Sequence, residues 1–245
     1  MTLKARPSEC TLTSGLSRAV LRARLAAPRG ARRGGDAATA ARLIEAGSVE
    51  PSDRGQVSTI LMPGTFYRHA GQEAEPSIPA AVLIPLIEHS WGFSVLFTQR
   101  TPDLKAHAGQ ISFPGGRLES SDADARAGAL RETVEEIGLA ASQIEILGQL
   151  DPYMTVTGYE ITPVVGAVTP PLELKPDPLE VAEIFEVPLA FLLDPGNHQR
   201  HSRVVAEGVR RAYYALPYGD RYIWGATAGM LVNLYEVLTA RAEET

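Results

Sequence analysis

The chain has 245 residues, 44% of them hydrophobic and 21% charged, proportions that suit a well-packed globular domain. A formal net charge of −6 argues against a general nucleic-acid binder, yet leaves room for a polyanionic substrate whose charge a bound metal offsets. Cys10 is the one cysteine, so no internal disulfide forms, and no apolar run reaches the roughly 18 residues of a membrane span.

Charge is unevenly placed. Residues 1–50 hold Lys4 and eight arginines against Glu9, Asp36, Glu45 and Glu50, a net +5, and the remainder carries −11. Residues 1–55 read as a basic segment made of a short helix and a mobile connector, with Arg29 to Gly35 as linker. Arginines interrupt the apolar stretch Leu16–Ala27, which disfavours a signal peptide and leaves the cytoplasm as the default location. A folded domain is expected over residues 75–245, with no internal repeat.

The apolar run Ala80–Ile87 predicts a strand, His89–Gly92 a turn and Phe93–Thr98 its hairpin partner. Ile111–Phe113 is a short strand that ends in Pro114-Gly115-Gly116. A helix follows, capped by Ser121 or Asp122, with an apolar stripe at Ala123, Ala127, Leu130, Val134 and Ile137 and a stop at Gly138. Strands are expected at Ile144–Leu150, Ile161–Val168 and Ile184–Val187, a loop from Pro170 to Pro178, and a short helical piece at Leu189–Leu193. Further strands near Arg203–Val205, Ala212–Ala215 and Tyr222–Trp224 precede a last helix from Ala226 to Ala242.

Chemistry concentrates in Gly115-Gly116 and in Arg131-Glu132-Thr133-Val134-Glu135-Glu136-Ile137-Gly138. Glu132 and Glu136 stand one helical turn apart, with Glu135 beside them, and all three are expected to point away from the apolar stripe. Like charges at that spacing weaken an isolated helix by about 0.2–0.5 kcal/mol. A divalent cation removes the penalty, because carboxylate oxygens are natural Mg²⁺ ligands. Gly115 and Gly116 let the backbone approach a ligand without side chains in the way.

The glycine pair followed by Arg-Glu-x-x-Glu-Glu-x-Gly resembles the Nudix box. Counted from Gly116, the Arg-Glu pair falls one residue later than in the general pattern, and the loop acid is Asp122. Leu96 to Gly116, Val156 to Gly166 and Ile223 to Gly229 are similar to segments of coenzyme A diphosphatases within that superfamily. The resemblance spans roughly residues 79–240. It implies an α/β fold, an α/β/α sandwich with a mixed central sheet and a loop-helix-loop catalytic motif. It also implies Mg²⁺- or Mn²⁺-dependent hydrolysis of coenzyme A or its derivatives. Glu132 and Glu136 would be metal ligands. Glu135 would be a third ligand, or would orient and deprotonate the attacking water. Arg131 would brace the loop through Asp122.

Arg100, Lys105, His107, Gln110 and Gly116 are candidates to meet the substrate phosphates, since Arg in particular suits bidentate phosphate contact. Tyr159 and Trp224 read as core or wall residues rather than base-stacking platforms. The partner is a small molecule, neither nucleic acid nor membrane, and both monomer and homodimer stay open. Alternatives are another nucleoside diphosphate derivative, such as ADP-ribose or a dinucleoside polyphosphate, or a non-catalytic nucleotide sensor. Sensors typically lose box glutamates, and all three are present here. Isomerases of the same fold use cysteine chemistry, which the remote Cys10 does not supply.

Overall fold

A computed structural model of the chain describes residues 15–27, 34–35, 77–103, 108–155, 157–204 and 210–240. In chain order the elements are α1 (Arg18–Ala26), β1 (Gly34–Gly35), β2 (Ile78–His89), β3 (Gly92–Arg100), β4 (Ile111–Ser112), β5 (Gly115–Arg117) and α2 (Ala125–Ile137). Then come β6 (Ile144–Gln149), β7 (Tyr153–Met154), β8 (Tyr159–Val168), β9 (Val181–Pro188) and α3 (Leu189–Leu192). The chain closes with β10 (Gln199–Val204), β11 (Arg210–Tyr218), β12 (Arg221–Trp224) and α4 (Ala226–Thr239).

Among the described residues nine strands form a mixed sheet with the path β1-β7-β8-β2-β3-β4, on which β5 joins β2, β6 joins β8 and β9 joins β3. At its centre β2 runs parallel to β8 and antiparallel to β3. Both faces of β2 are covered, which is why its sequence is a continuous apolar run rather than an alternation. Pro85 falls between Val82, the last residue paired with β5, and Leu86, the first paired with β3. Its missing N–H therefore costs no ladder bond on that edge.

Alternation along β2 sorts the core into two sides. Ala81 and Leu83 pack with Ala129 of α2 and Val164 of β8. Ile84 and Leu86 belong to the larger cluster on the other face, with Leu231 and Leu234 of α4 and Leu21 and Leu25 of α1. The helix expected in the basic N-terminal segment is thus packed against the same core. A separate antiparallel sheet, β10-β11-β12, sits beside α4. No helix among the described residues is long and apolar enough to cross a membrane.

Three expectations need correction. Gly115-Gly116 is not a bare loop: it is strand β5, with Gly116 opposite Ala81 and Arg117 opposite Ala80. Neither Ser121 nor Asp122 caps α2; the helix starts at Ala125, and Asp124 accepts the Ala127 N–H at 2.9 Å. The apolar stripe is buried only at its Ile137 end. Val134 is 42% exposed and Ala123 lies outside the helix, while Gly128, Ala129, Thr133, Glu136 and Ile137 are buried. A Cβ on Gly128 would lie 2.3 Å from the Leu118 side chain, so glycine lets the connection between β5 and α2 pack closely on this face of the helix. Gly138 ends the helix as expected, at φ 70°, donating its N–H to the Val134 carbonyl at 3.0 Å.

Candidate active site

Turning the small face of α2 inward carries Glu132 and Glu136 toward β5, rather than outward with Glu135. Glu136 is only 6% exposed, and its Oε2 accepts the Gly115 N–H at 3.2 Å. Glu132 is half-buried against Gly116. A Cβ on Gly116 would stand 2.5 Å from the Glu132 carboxylate, so glycine is what makes room for it. Glu135 stays largely in solvent.

Arg131 sits at the hub of this arrangement. It donates to Asp122 through Nε at 3.1 Å and Nη2 at 3.0 Å, and to the Arg117 carbonyl at 3.1 Å. Its Nη1 reaches Glu132 and Glu135, each at 3.0 Å. These bonds and charges raise the Arg131 pKa far above its ordinary value, and the Arg131 guanidinium holds the Asp122 carboxyl below the usual range. Arg131 is therefore consumed in fixing the segment between β5 and α2, with little charge left over for a ligand.

Glu136 is balanced differently. Burial, first of all, pushes its pKa up to about 8. The Gly115 N–H opposes this, Glu180 adds to it, Arg100 opposes it at 3.9 Å, and Glu132 adds again. Burial likewise raises the Glu132 pKa, opposed by Arg131 and assisted by Glu135 and Glu180. The dominant cause is desolvation rather than the mutual crowding of the three box glutamates.

Glu180 is the residue that sequence reading missed. It lies in a loop rich in acids and prolines, with no helical spacing to mark it. Hydrogen bonds deliver that loop to the site: Asp177 N–H to Glu136 O at 2.8 Å, Lys175 N–H to Ile137 O at 2.8 Å, and Thr101 N–H to Glu180 O at 2.9 Å. The pairing of β9 with β3 fixes this proximity, and that pairing has no local signature.

Of the proposed phosphate-contacting residues, Arg100 stands at the end of β3 facing Glu136, and its buried Nε has no hydrogen-bond partner. The Gln110 carbonyl accepts the Arg100 N–H at 2.9 Å, holding the strand end in place. Lys105 and His107 lie outside the described residues. Tyr159 is half-buried, with its hydroxyl turned to Arg117, and Trp224 meets Tyr213 edge-on at 5.6 Å.

Among the described residues no group of three or more His, Cys, Asp or Glu side chains closes to metal-binding spacing. The donor set nonetheless suits a hard divalent cation. Two carboxylates with raised pKa values stand together with Glu180 nearby, Glu136 meets only the distant Arg100 guanidinium, and all offer oxygen.

The NUDIX domain profile matches residues 77–207. The chain is 40% identical over 155 residues to the "Uncharacterized Nudix hydrolase NudL" of Escherichia coli (strain K12), covering 63% of this chain and 80% of that protein. A Shigella boydii serotype 18 protein with the same description is 39% identical over the same shares. Among solved structures it is similar to a C. elegans Ap4A hydrolase, with 18% identity, TM-score 0.40, and 45% of this chain and 80% of that one covered. A MutT protein from Methanosarcina mazei gives 24% identity and TM-score 0.39, with 49% and 82% covered. The chain belongs to the Nudix family, and is a hydrolase of diphosphate bonds that works with a divalent cation.

Proposed function

We propose that this chain hydrolyses the diphosphate linkage of coenzyme A or a coenzyme A derivative, giving 3′,5′-ADP and 4′-phosphopantetheine or its acyl form, with Mg²⁺ or Mn²⁺. The observation that carries the hydrolytic part is the buried Glu136, held by the Gly115 N–H beside Glu132 and Glu180 with little positive charge to match. The choice of coenzyme A rests on the stretches Leu96–Gly116, Val156–Gly166 and Ile223–Gly229, which resemble coenzyme A diphosphatases outside the box itself.

Glu132 and Glu136 hold the cation, and Glu180 adds a third carboxylate to its surroundings. When bound, the ion polarises the phosphoryl oxygens and lowers the pKa of water. The chain's own part is positioning, as in other phosphoryl transfers. Gly115 and Gly116 keep side chains out of the path of the diphosphate. Arg131 locks α2 to the strand before it, so the glutamates keep their distance from that strand. Arg100 meets the substrate charge, and Gln110, whose carbonyl accepts the Arg100 N–H, stands next to it; Lys105 and His107 are proposed for the same contact from the sequence alone. Glu135 orients and deprotonates the attacking water from the exposed side of α2; Glu180 is the competing candidate, from the β9 side.

Purified protein with Mg²⁺ or Mn²⁺ is expected to release 3′,5′-ADP from coenzyme A, and Glu136→Gln to lose that release. Glu135→Gln and Glu180→Gln in the same assay identify the base by the larger fall in kcat. Cleavage of ADP-ribose or a dinucleoside polyphosphate without cleavage of coenzyme A would discard the coenzyme A assignment. Folded protein that cleaves no diphosphate would favour a sensor.

A further inference from the structure

Strand β5 has two faces, and the active site uses one of them. Gly116 pairs with Ala81 on the side of α2 and the glutamates. Arg117 pairs with Ala80, one residue on, and so projects from the opposite face. Tyr159 opens β8 opposite Ile78, on the other side of β2. The two side chains meet across β2: Nε and Nη2 of Arg117 both donate to the Tyr159 hydroxyl, at 3.1 and 2.7 Å, and the guanidinium carbon lies 5.3 Å from the ring centroid.

The partner's charge is the informative part. Arg18, Arg22, Arg131 and Arg221 are all paired with carboxylates. Arg117 is exposed and held by a neutral phenol, so its full positive charge faces solvent with one guanidinium edge fixed and the rest of the fork open. Tyr159 is itself held: its N–H donates to Thr155 Oγ1 at 2.9 Å and its carbonyl accepts the Thr155 N–H at 2.9 Å. An arginine set in one orientation, with no acid partner among the described residues, matches a phosphate group. It also sits next in sequence to Gly116, and its carbonyl bonds Arg131.

We propose that Arg117, positioned by Tyr159, forms an anion subsite for a phosphomonoester of the substrate, separate from the diphosphate that is cut. The substrate straddles the short strand β5, with its diphosphate at the glutamates and its second phosphate on Arg117. This deepens the coenzyme A reading and rests on it: the group bound is then the ribose 3′-phosphate.

The test compares coenzyme A with the same molecule lacking the 3′-phosphate, using the full chain with Mg²⁺. Wild type is expected to prefer the phosphorylated substrate by about tenfold or more in kcat/KM, the scale of a charged hydrogen bond. Arg117→Ala erases the preference, Arg117→Lys keeps part of it, and Tyr159→Phe reduces it through KM rather than kcat. A wild type that does not discriminate, or an Arg117→Ala variant that keeps the full preference, overturns the proposal. Direct binding of 3′,5′-ADP against 5′-AMP gives a readout that does not depend on turnover. Should coenzyme A prove not to be a substrate, tighter binding of the bisphosphate that vanishes in Arg117→Ala still upholds the subsite. Equal binding of the two nucleotides overturns it.

Discussion

Helices α1 and α2 handle charge in opposite ways. In α1 the arginines face outward and are held: Arg18 donates to Glu88 at 2.8 Å, to Glu145 at 2.5 Å and to Thr169, Arg22 also reaches Glu145, and Arg24 donates to the Leu238 carbonyl. Its inward residues, Leu21 and Leu25, are apolar and fully enclosed. In α2 the inward residues include two glutamates, and the bulky aliphatic Val134 points to solvent. A helix that serves only the fold buries grease and pairs its ions. A helix that buries a carboxylate with only a backbone N–H in hydrogen-bond reach, as α2 does with Glu136, gives up stability for something else.

The largest expected effect tests the structural half of this contrast. Leu21→Ala removes a buried side chain from the central cluster, at a cost of about 2–5 kcal/mol in denaturant unfolding. Activity per folded molecule should survive. If unfolding is unchanged, α1 is not part of the folding unit. Next comes the functional half: Gly116→Ala drives a methyl group into the Glu132 carboxylate. A displacement of about 1 Å in such a site costs on the order of a hundredfold in kcat/KM, so activity within a fewfold of wild type would show that Glu132 does not need its present seat.

The last expected effect is a pH trend that α1 cannot produce. Glu136 has a folded pKa of about 8, above the ordinary carboxylate value of 4.5. The metal-free folded state therefore holds more protons than the unfolded one between these limits, and its stability falls as pH rises through that window. Added Mg²⁺ should reverse the trend, because it binds the deprotonated carboxylates of the folded state. Thermal melts at pH 5 and 8.5, with and without metal, read this out. The metal-free slope should flatten in Glu136→Gln; an unchanged slope would move its origin to another group.

Much of this contrast was legible in the sequence, but not the orientation behind it. The Arg-Glu-x-x-Glu-Glu spacing and the glycine pair picked out residues that the structure brings together, and Arg131 does bond Asp122 as expected. The helix face was misread because Leu130 and Val134 are more hydrophobic than the Gly128 and Thr133 that are buried. Glu180 was invisible because its place depends on β9 lying beside β3. The role of α1 was hidden by its arginines, whose acid partners are as far off as Glu145, more than a hundred residues along the chain. Local patterns reveal local geometry; contacts made by strand order must be seen.

Strand β5 also bears on how chain length can vary in this region. Its three residues present, in turn, a backbone N–H to Glu136, a vacancy for Glu132 and a guanidinium on the far side. Inserting or deleting one residue here would swap the faces and set the arginine where the vacancy is needed. An extra residue inside α2 would rotate the glutamates by about 100°. Only the connection from Leu118 to Asp124 is free to absorb one, and there Asp122 and Glu119 already close a turn, with N–H to O distances of 3.1 and 2.8 Å. The one-residue offset from the general motif falls in that stretch, and the bonds from Arg131 to Asp122 and to the Arg117 carbonyl hold the chemistry on either side in register.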